Sequence, residues 1–289
     1  MYLILSLLTG IFISIMIALN GGLAASHGLH TSSVIIHIAG LVTTSALVLA
    51  KRENPFKKKH PWYYYMAGAL GVMTVAFNNY AFSRISVSAI LALVLLGQSI
   101  MGLAFDQYGW LGLPKHPFKK QRIIGLLLTV GGIAVMIDRF ETAAVLLSFA
   151  AGCIIVVTRT LSAKLATLSS IRVSTFFNYV VGLIVAFLVF LVLGGNEPAV
   201  TLSTVSPDFY IYLGGFMGAC LIMVSNILVM KVPAFYLSLL LFIGQVFSGL
   251  VIDAIIARSF SIQLLAGGLL VAAGLCIDMW FDKRFQALH

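Results

Sequence analysis

Hydrophobic residues along this chain run in stretches of about twenty, separated by short gaps of glycine, proline or charge. A run of that length matches the thickness of a bilayer's hydrocarbon core when it is helical. It must be helical there, because lipid offers no partner for a free backbone N–H or C=O. The runs are continuous, not alternating, which speaks against a transmembrane β-barrel. Taking the gaps as ends places spans near 3–24, 31–50, 62–83, 86–108 and 121–138, then near 142–164, 171–194, 208–230, 232–256 and 261–281. Arg84-Ile85-Ser86 and Lys231-Val232-Pro233 read as tight turns between antiparallel neighbours.

The pattern repeats. Residues 63–106 align with 210–253 at a constant separation of 147, pairing Tyr63/Tyr210, Gly68/Gly215, Gly71/Gly218, Asn79/Asn226, Gly97/Gly244, Gln98/Gln245, Gly102/Gly249 and Asp106/Asp253. Matches of leucine carry little weight in so apolar a chain, whereas Asn, Gln and Asp are rare on lipid-facing helices. Leu7–Ala24 aligns with Leu146–Ala163 at a separation of 139, which pairs Asn20 with Arg159, and Gly125 and Gly132 pair with Gly267 and Gly274 at 142. Two repeats follow, 1–140 and 141–289. Five spans per repeat is an odd number, so the second half enters the membrane from the opposite side. The expected fold is an all-α integral membrane protein with ten transmembrane helices in a 5+5 inverted-topology repeat.

Composition agrees and adds direction. Apolar residues fill 61% of 289 positions and charged residues 9%, against about 25% charged in a soluble domain; mean hydropathy is +1.06. The net charge of +9 would suit nucleic acid if it formed one stripe, but the basic residues are dispersed among the inter-helix segments, so no nucleic-acid partner is expected. With the N-terminus inside, fourteen Lys and Arg lie in cytoplasmic segments, from Lys51 and Arg52 to Lys283 and Arg284. Only Arg84, Arg139 and Arg258 lie outside. That asymmetry predicts a multi-pass protein of the cytoplasmic membrane with both termini cytoplasmic. Leu3–Leu19 followed by Ala24-Ala25-Ser26 has the outline of a signal peptide. It lacks a basic start and its apolar run is too long, so it is expected to stay in the mature protein. Cys153, Cys220 and Cys276 all fall within apolar runs and offer neither metal spacing nor a disulfide framework.

Polar groups inside the membrane are costly and usually face the bundle interior or a water-filled cavity. Depth along the spans, at about 1.5 Å per residue, puts Gln98 and Gln245 near the midplane. Asn20, His37, Asn79 and Asp253 then fall in the outer half, and Arg159, Asn178, Asn226 and Asp106 in the inner half. Gln98, Gln245, Asn20, Arg159, His37, Asn79 and Asn226 are the candidate solute-binding residues; Asp106, Asp253 and Arg159 are candidates for gating. Each has a plainer reading. The glutamines can bond across helices for about 1 kcal/mol or less. Arg159 can snorkel toward the inner headgroups, although its alignment with Asn20 favours the cavity. His37 can be a satisfied interior histidine, and the two aspartates can be interfacial. For gating, Arg159 is expected to approach Asp106 when the inner side closes, with Asn20 and Asp253 making the weaker outer contact. His27, His30 and His37 lack a nearby carboxylate and are not expected to hold a metal. Gly214-Gly215-x-x-Gly218 is read as a site of close helix packing.

The inverted repeat, the short third-to-fourth turns and the Gly-Gln-x-x-x-Gly core of spans four and nine resemble the drug/metabolite transporter superfamily. Asn20-Gly21-Gly22-Leu23 and His37-Ile38-Ala39-Gly40 resemble its YdcZ-like family, whose small members have five helices, so this chain looks like two such units fused. The resemblance implies a solute cavity walled by spans one to four and six to nine, with five and ten peripheral. It also marks a departure, since small multidrug-resistance relatives use a first-helix Glu for proton coupling and Tyr2–Ala25 contains no acid.

The function expected is secondary active transport of a small polar metabolite by alternating access. The alternatives are a polytopic membrane enzyme and a channel-like or scaffold subunit. No nucleotide, His-Glu-x-x-His or Gly-x-Ser-x-Gly motif occurs, so neither a cofactor nor catalysis is expected. The expected partners are the bilayer and a small molecule, anionic or zwitterionic if Arg159 faces it. The coupling ion is left open, and a homodimer is an admissible assembly.

Overall fold

The computed structural model describes residues 2–57, 59–112, 122–136, 141–195, 197, 208–231, 234–257 and 261–286. The side chains of Asp106 and Asn226, both candidates above, lie outside the described residues. The described residues form ten α-helices: α1 Tyr2–His27, α2 Leu29–Ala50, α3 Met66–Phe82, α4 Val87–Tyr108, α5 Arg122–Met136, α6 Thr142–Leu168, α7 Ile171–Leu193, α8 Gly214–Lys231, α9 Ala234–Ala257 and α10 Ile262–Gln286. Within them α1, α2, residues 87–105 of α4, α6 and α7 are each long and apolar enough to cross a membrane unaided. The ends have local causes. Ser86 and Ser170 cap α4 and α7 by accepting the amides of Ala89 and Val173, and α4 stops at Gly109, whose φ of 65° suits a residue without a Cβ. α3 starts at Met66, not at 62, because Trp62–Tyr65 coils as a 3-10 turn; Phe209–Leu213 does the same before α8. Trp62, Tyr63, Phe209 and Tyr210 on these turns are exposed, as suits aromatic rings at a membrane–water boundary.

Contacts divide the chain into two compact units that do not follow the repeats. The first gathers Met1–Ile15, Arg84–Cys153 and Leu228–His289, and the second Met16–Ser83 and Ile154–Ile227. Each therefore takes segments from both halves of the sequence. In the first unit α5 packs along α10, and α4 packs on α9. In the second, α7 packs against both α2 and α3.

Glycines set these contacts, and they show how the halves correspond. In the first unit a Cβ on Gly10 would strike Leu241, Gly244 and Gln245, while one on Gly152 would strike Val94 and Gln98. Reciprocally, Gly97 abuts Phe149, Gly152 and Cys153, and Gly244 abuts Leu7, Gly10 and Ile11. The α1–α9 crossing is thus repeated by α6–α4 with Gly10 equivalent to Gly152, a separation of 142. This corrects the separation of 139 expected for the first spans: Asn20 corresponds to Ser162, and Arg159 to Ile17. The second unit agrees, because His37 lies over Gly182 and Tyr179 over Gly40, again 142 apart. Gly68 meets the carbonyl of Asn178 as Gly215 meets that of Ile36. In α5–α10, Gly132 meets Gly267 and Gly274 meets Gly125. Small residues are what let membrane helices approach this closely.

Candidate functional site

The second unit holds a polar interior. His37 is 4% exposed, Asn79 5%, Asn20 6% and Asn178 7%. Ser32, Ser33, Ser162, Ser174 and Thr175 are buried beside them. Part of this set is internally bonded. Asn79 Nδ2 donates to Ser32 Oγ at 3.3 Å, Asn178 Nδ2 to Ser162 Oγ at 2.8 Å, and Ser174 Oγ to the Ser162 carbonyl at 2.8 Å. The Tyr179 hydroxyl donates to the Gly215 carbonyl at 3.4 Å. His27 Nε2 lies 3.0 Å from the Tyr212 hydroxyl.

The remainder is unsatisfied. Asn20 Oδ1, Ser33 Oγ, Asn78 Oδ1, Thr158 Oγ1, Asn178 Oδ1 and His27 Nδ1 are buried without a hydrogen-bond partner, and all six belong to the second unit. Buried polar atoms are nearly always paired, and each unpaired one costs about 1–3 kcal/mol. Among the described residues Glu141 Oε2 and Ser148 Oγ of the first unit are also unpartnered, so most but not all such atoms belong to the second unit. Asn20 fits because position 214 is glycine, where a Cβ would overlap its Oδ1.

α2 and α7 run antiparallel, since His37 faces Gly182 while Tyr179 faces Gly40. Each helix is followed by a glutamate bound to the start of the other. Beyond α2, Glu53 accepts from Ser170 Oγ at 2.7 Å and Arg172 Nε at 2.8 Å, and it pairs with a terminal guanidinium nitrogen of Arg172. Beyond α7, Glu197 accepts the backbone amides of His30 at 2.9 Å and Thr31 at 2.7 Å, closing over Gly28, whose φ is +94°. The Arg172 hydrogen bond holds the Glu53 carboxyl below the usual carboxylate range. Burial opposes ionisation of Glu197, but the two amides outweigh it and leave that carboxyl low as well.

The other predicted residues distribute as follows. His37, Asn20, Asn79 and Arg159 belong to the second unit, where Arg159 is half-buried and engaged with other groups. Its correspondence to Ile17 removes the repeat argument for a cavity role. Gln98 and Gln245 belong to the first unit, one residue past the glycines of the two equivalent crossings; Gln245 is buried and Gln98 half-buried. Asp253 accepts the amides of Val87 at 2.7 Å and Ser88 at 2.9 Å and the Ser88 hydroxyl at 2.5 Å, so it caps α4. Among the described residues no group of three His, Cys, Asp or Glu is placed to hold a metal. Sequence reasoning passed over Glu53, Glu197, Tyr179, Asn78 and Thr158. Extending the separation of 142 from the last spans to the second and seventh would have paired Tyr179 with His37.

A family model described as "putative inner membrane exporter, YdcZ" matches residues 1–135 and again 143–277. The chain belongs to this family. The two matches make it a fusion of two YdcZ units and a multi-pass inner-membrane protein of exporter type. No curated protein sequence matches it. Among solved structures, one crystal structure of a protein superposes with a TM-score of 0.67 at 17% identity, over 97% of this chain and 98% of its own. That likeness is one of fold.

Proposed function

We propose that this YdcZ-family protein is a secondary active transporter that exports a small polar metabolite by alternating access. The observation that supports the reading is the number of unpartnered polar atoms in the second unit, from Asn20 to Asn178. An interior of this kind is costly in a membrane unless a solute or water completes its hydrogen bonds. Three of the unpartnered atoms are amide oxygens, those of Asn20, Asn78 and Asn178, so the solute offers N–H or O–H donors. An amine, a polyol or the ammonium end of a zwitterion fits better than a simple anion. Inverted repeats let two similar halves exchange conformations and so present a site to either side in turn. Both termini are cytoplasmic in this reading.

Purified protein in liposomes tests it. A metabolite selected by thermal shift should show counterflow. Ohmic current without counterflow would make the protein a channel, and chemical conversion would make it an enzyme.

A further inference from the structure

In the second unit the equivalent glycines Gly71 and Gly218 have different surroundings. We propose that the first of these places is a solute subsite: an open polar pocket at Gly71 of α3, flanked by His37 of α2 and Thr158 of α6, which takes an amine or hydroxyl donor. The proposal deepens the transporter reading and rests on it.

The argument starts from what fills the equivalent position. Gly218 is the counterpart of Gly71, Tyr179 of His37 and Met16 of Thr158. A Cβ built on Gly218 would stand 2.7 Å from the Tyr179 hydroxyl and 3.5 Å from Met16 Sδ. That notch is plugged. A Cβ built on Gly71 would meet nothing within 4 Å. The difference follows from side-chain length, because imidazole stops short of where a phenol hydroxyl reaches, and threonine stops short of a methionine sulfur.

The pocket is also chemically unfinished. Thr158 Oγ1 is buried and unpartnered. Nδ1 of His37 lies 2.7 Å from the Ser33 carbonyl, which only an N–H can satisfy. The neutral ring therefore carries its proton on Nδ1 and presents a lone pair at Nε2. Gly182 makes room for that edge of the ring, since a Cβ there would come within 2.7 Å of Nε2. An imidazole lone pair is an acceptor, and a hydroxyl can act either way. The group they select is a compact donor.

The test does not depend on knowing the solute. In full-length protein with Cys153, Cys220 and Cys276 replaced by serine, Gly71→Cys is challenged with water-soluble methanethiosulfonates bearing either an ammonium or a sulfonate. The ammonium reagent should label about tenfold faster, as an acceptor-lined cleft favours cations. Adding His37→Tyr, which restores the plug of the other half, should suppress labelling while the melting temperature holds or rises. If that variant does not fold, Thr158→Met closes the pocket from the α6 side. Labelling by membrane-soluble N-ethylmaleimide alone, faster reaction of the sulfonate, or indifference to the plugs would each overturn the proposal. Absence of counterflow with labelling intact would count against transport, not against the pocket.

Discussion

Glu53 and Glu197 hold mirrored posts on the α2–α7 pair: each follows the end of one helix and binds the beginning of the other. The two latches differ in chemistry. Glu53 meets a guanidinium, whereas Glu197 meets backbone amides at the positive end of a helix.

Both carboxyls are held below their ordinary range, by Arg172 and by the His30 and Thr31 amides respectively. A depressed folded value means that the stabilisation is complete above the unfolded pKa and vanishes as pH falls through the folded one. Melting temperature should therefore be level near neutrality and decline between about pH 5 and 3. Glu53→Gln and Glu197→Gln should each lower the neutral-pH value and flatten that decline. An unchanged slope in the double variant would deny the latches this role.

The glycine crossings make a prediction about stability. Gly97→Ala or Gly152→Ala drives a methyl into the backbone of the facing helix, and overpacking of this kind costs about 1–3 kcal/mol. Gly71→Ala meets open space and gains helix propensity of up to about 1 kcal/mol. Thermal melts in detergent should rank Gly71→Ala well above the other two; equal losses would mean that the crossings do not limit packing.

Asp253 should behave as a cap and not as a gate. Asp253→Ala strands the amides of Val87 and Ser88 and should cost about 1–2 kcal/mol of stability. Transport per folded molecule should persist. A variant of normal stability and no flux would return Asp253 to the gate.

Gln98→Leu and Gln245→Leu should abolish counterflow with little change in melting temperature, since each meets a crossing glycine through its backbone nitrogen, which the substitution keeps. Normal transport by both would confine these amides to a structural role.

The ten helices were legible because the bilayer imposes one length and one hydrogen-bonding rule on every span. The starts of α2 and α7 were placed within a few residues for that reason. Pairing across the repeats was harder. Gly, Gln and Asp matches fixed the third and fourth spans, but α1 and α6 share mostly common apolar residues, and a slip of three residues aligned Asn20 with Arg159. The Gly10–Gly244 and Gly97–Gly152 contacts reveal the true register. Glu53 and Glu197 escaped notice because their partners are 119 and 167 residues away, and no local spacing announces such a bond. His37 was visible as an intramembrane histidine. The open space at Gly71 was not, because an empty place leaves no letter in the sequence.

The pairing of His37 with Tyr179 bears on why one gene would encode both halves. A dimer of identical five-helix chains must carry the same residue at both places. Two histidines would open two pockets related by symmetry, and two tyrosines would close both. A single polypeptide escapes that constraint, because a substitution in one copy is not duplicated in the other. Position 179 is then free to specialise in wedging helices together, and position 37 is free to change without it. Fusion converts a symmetric carrier into one whose two halves answer to different selective pressures.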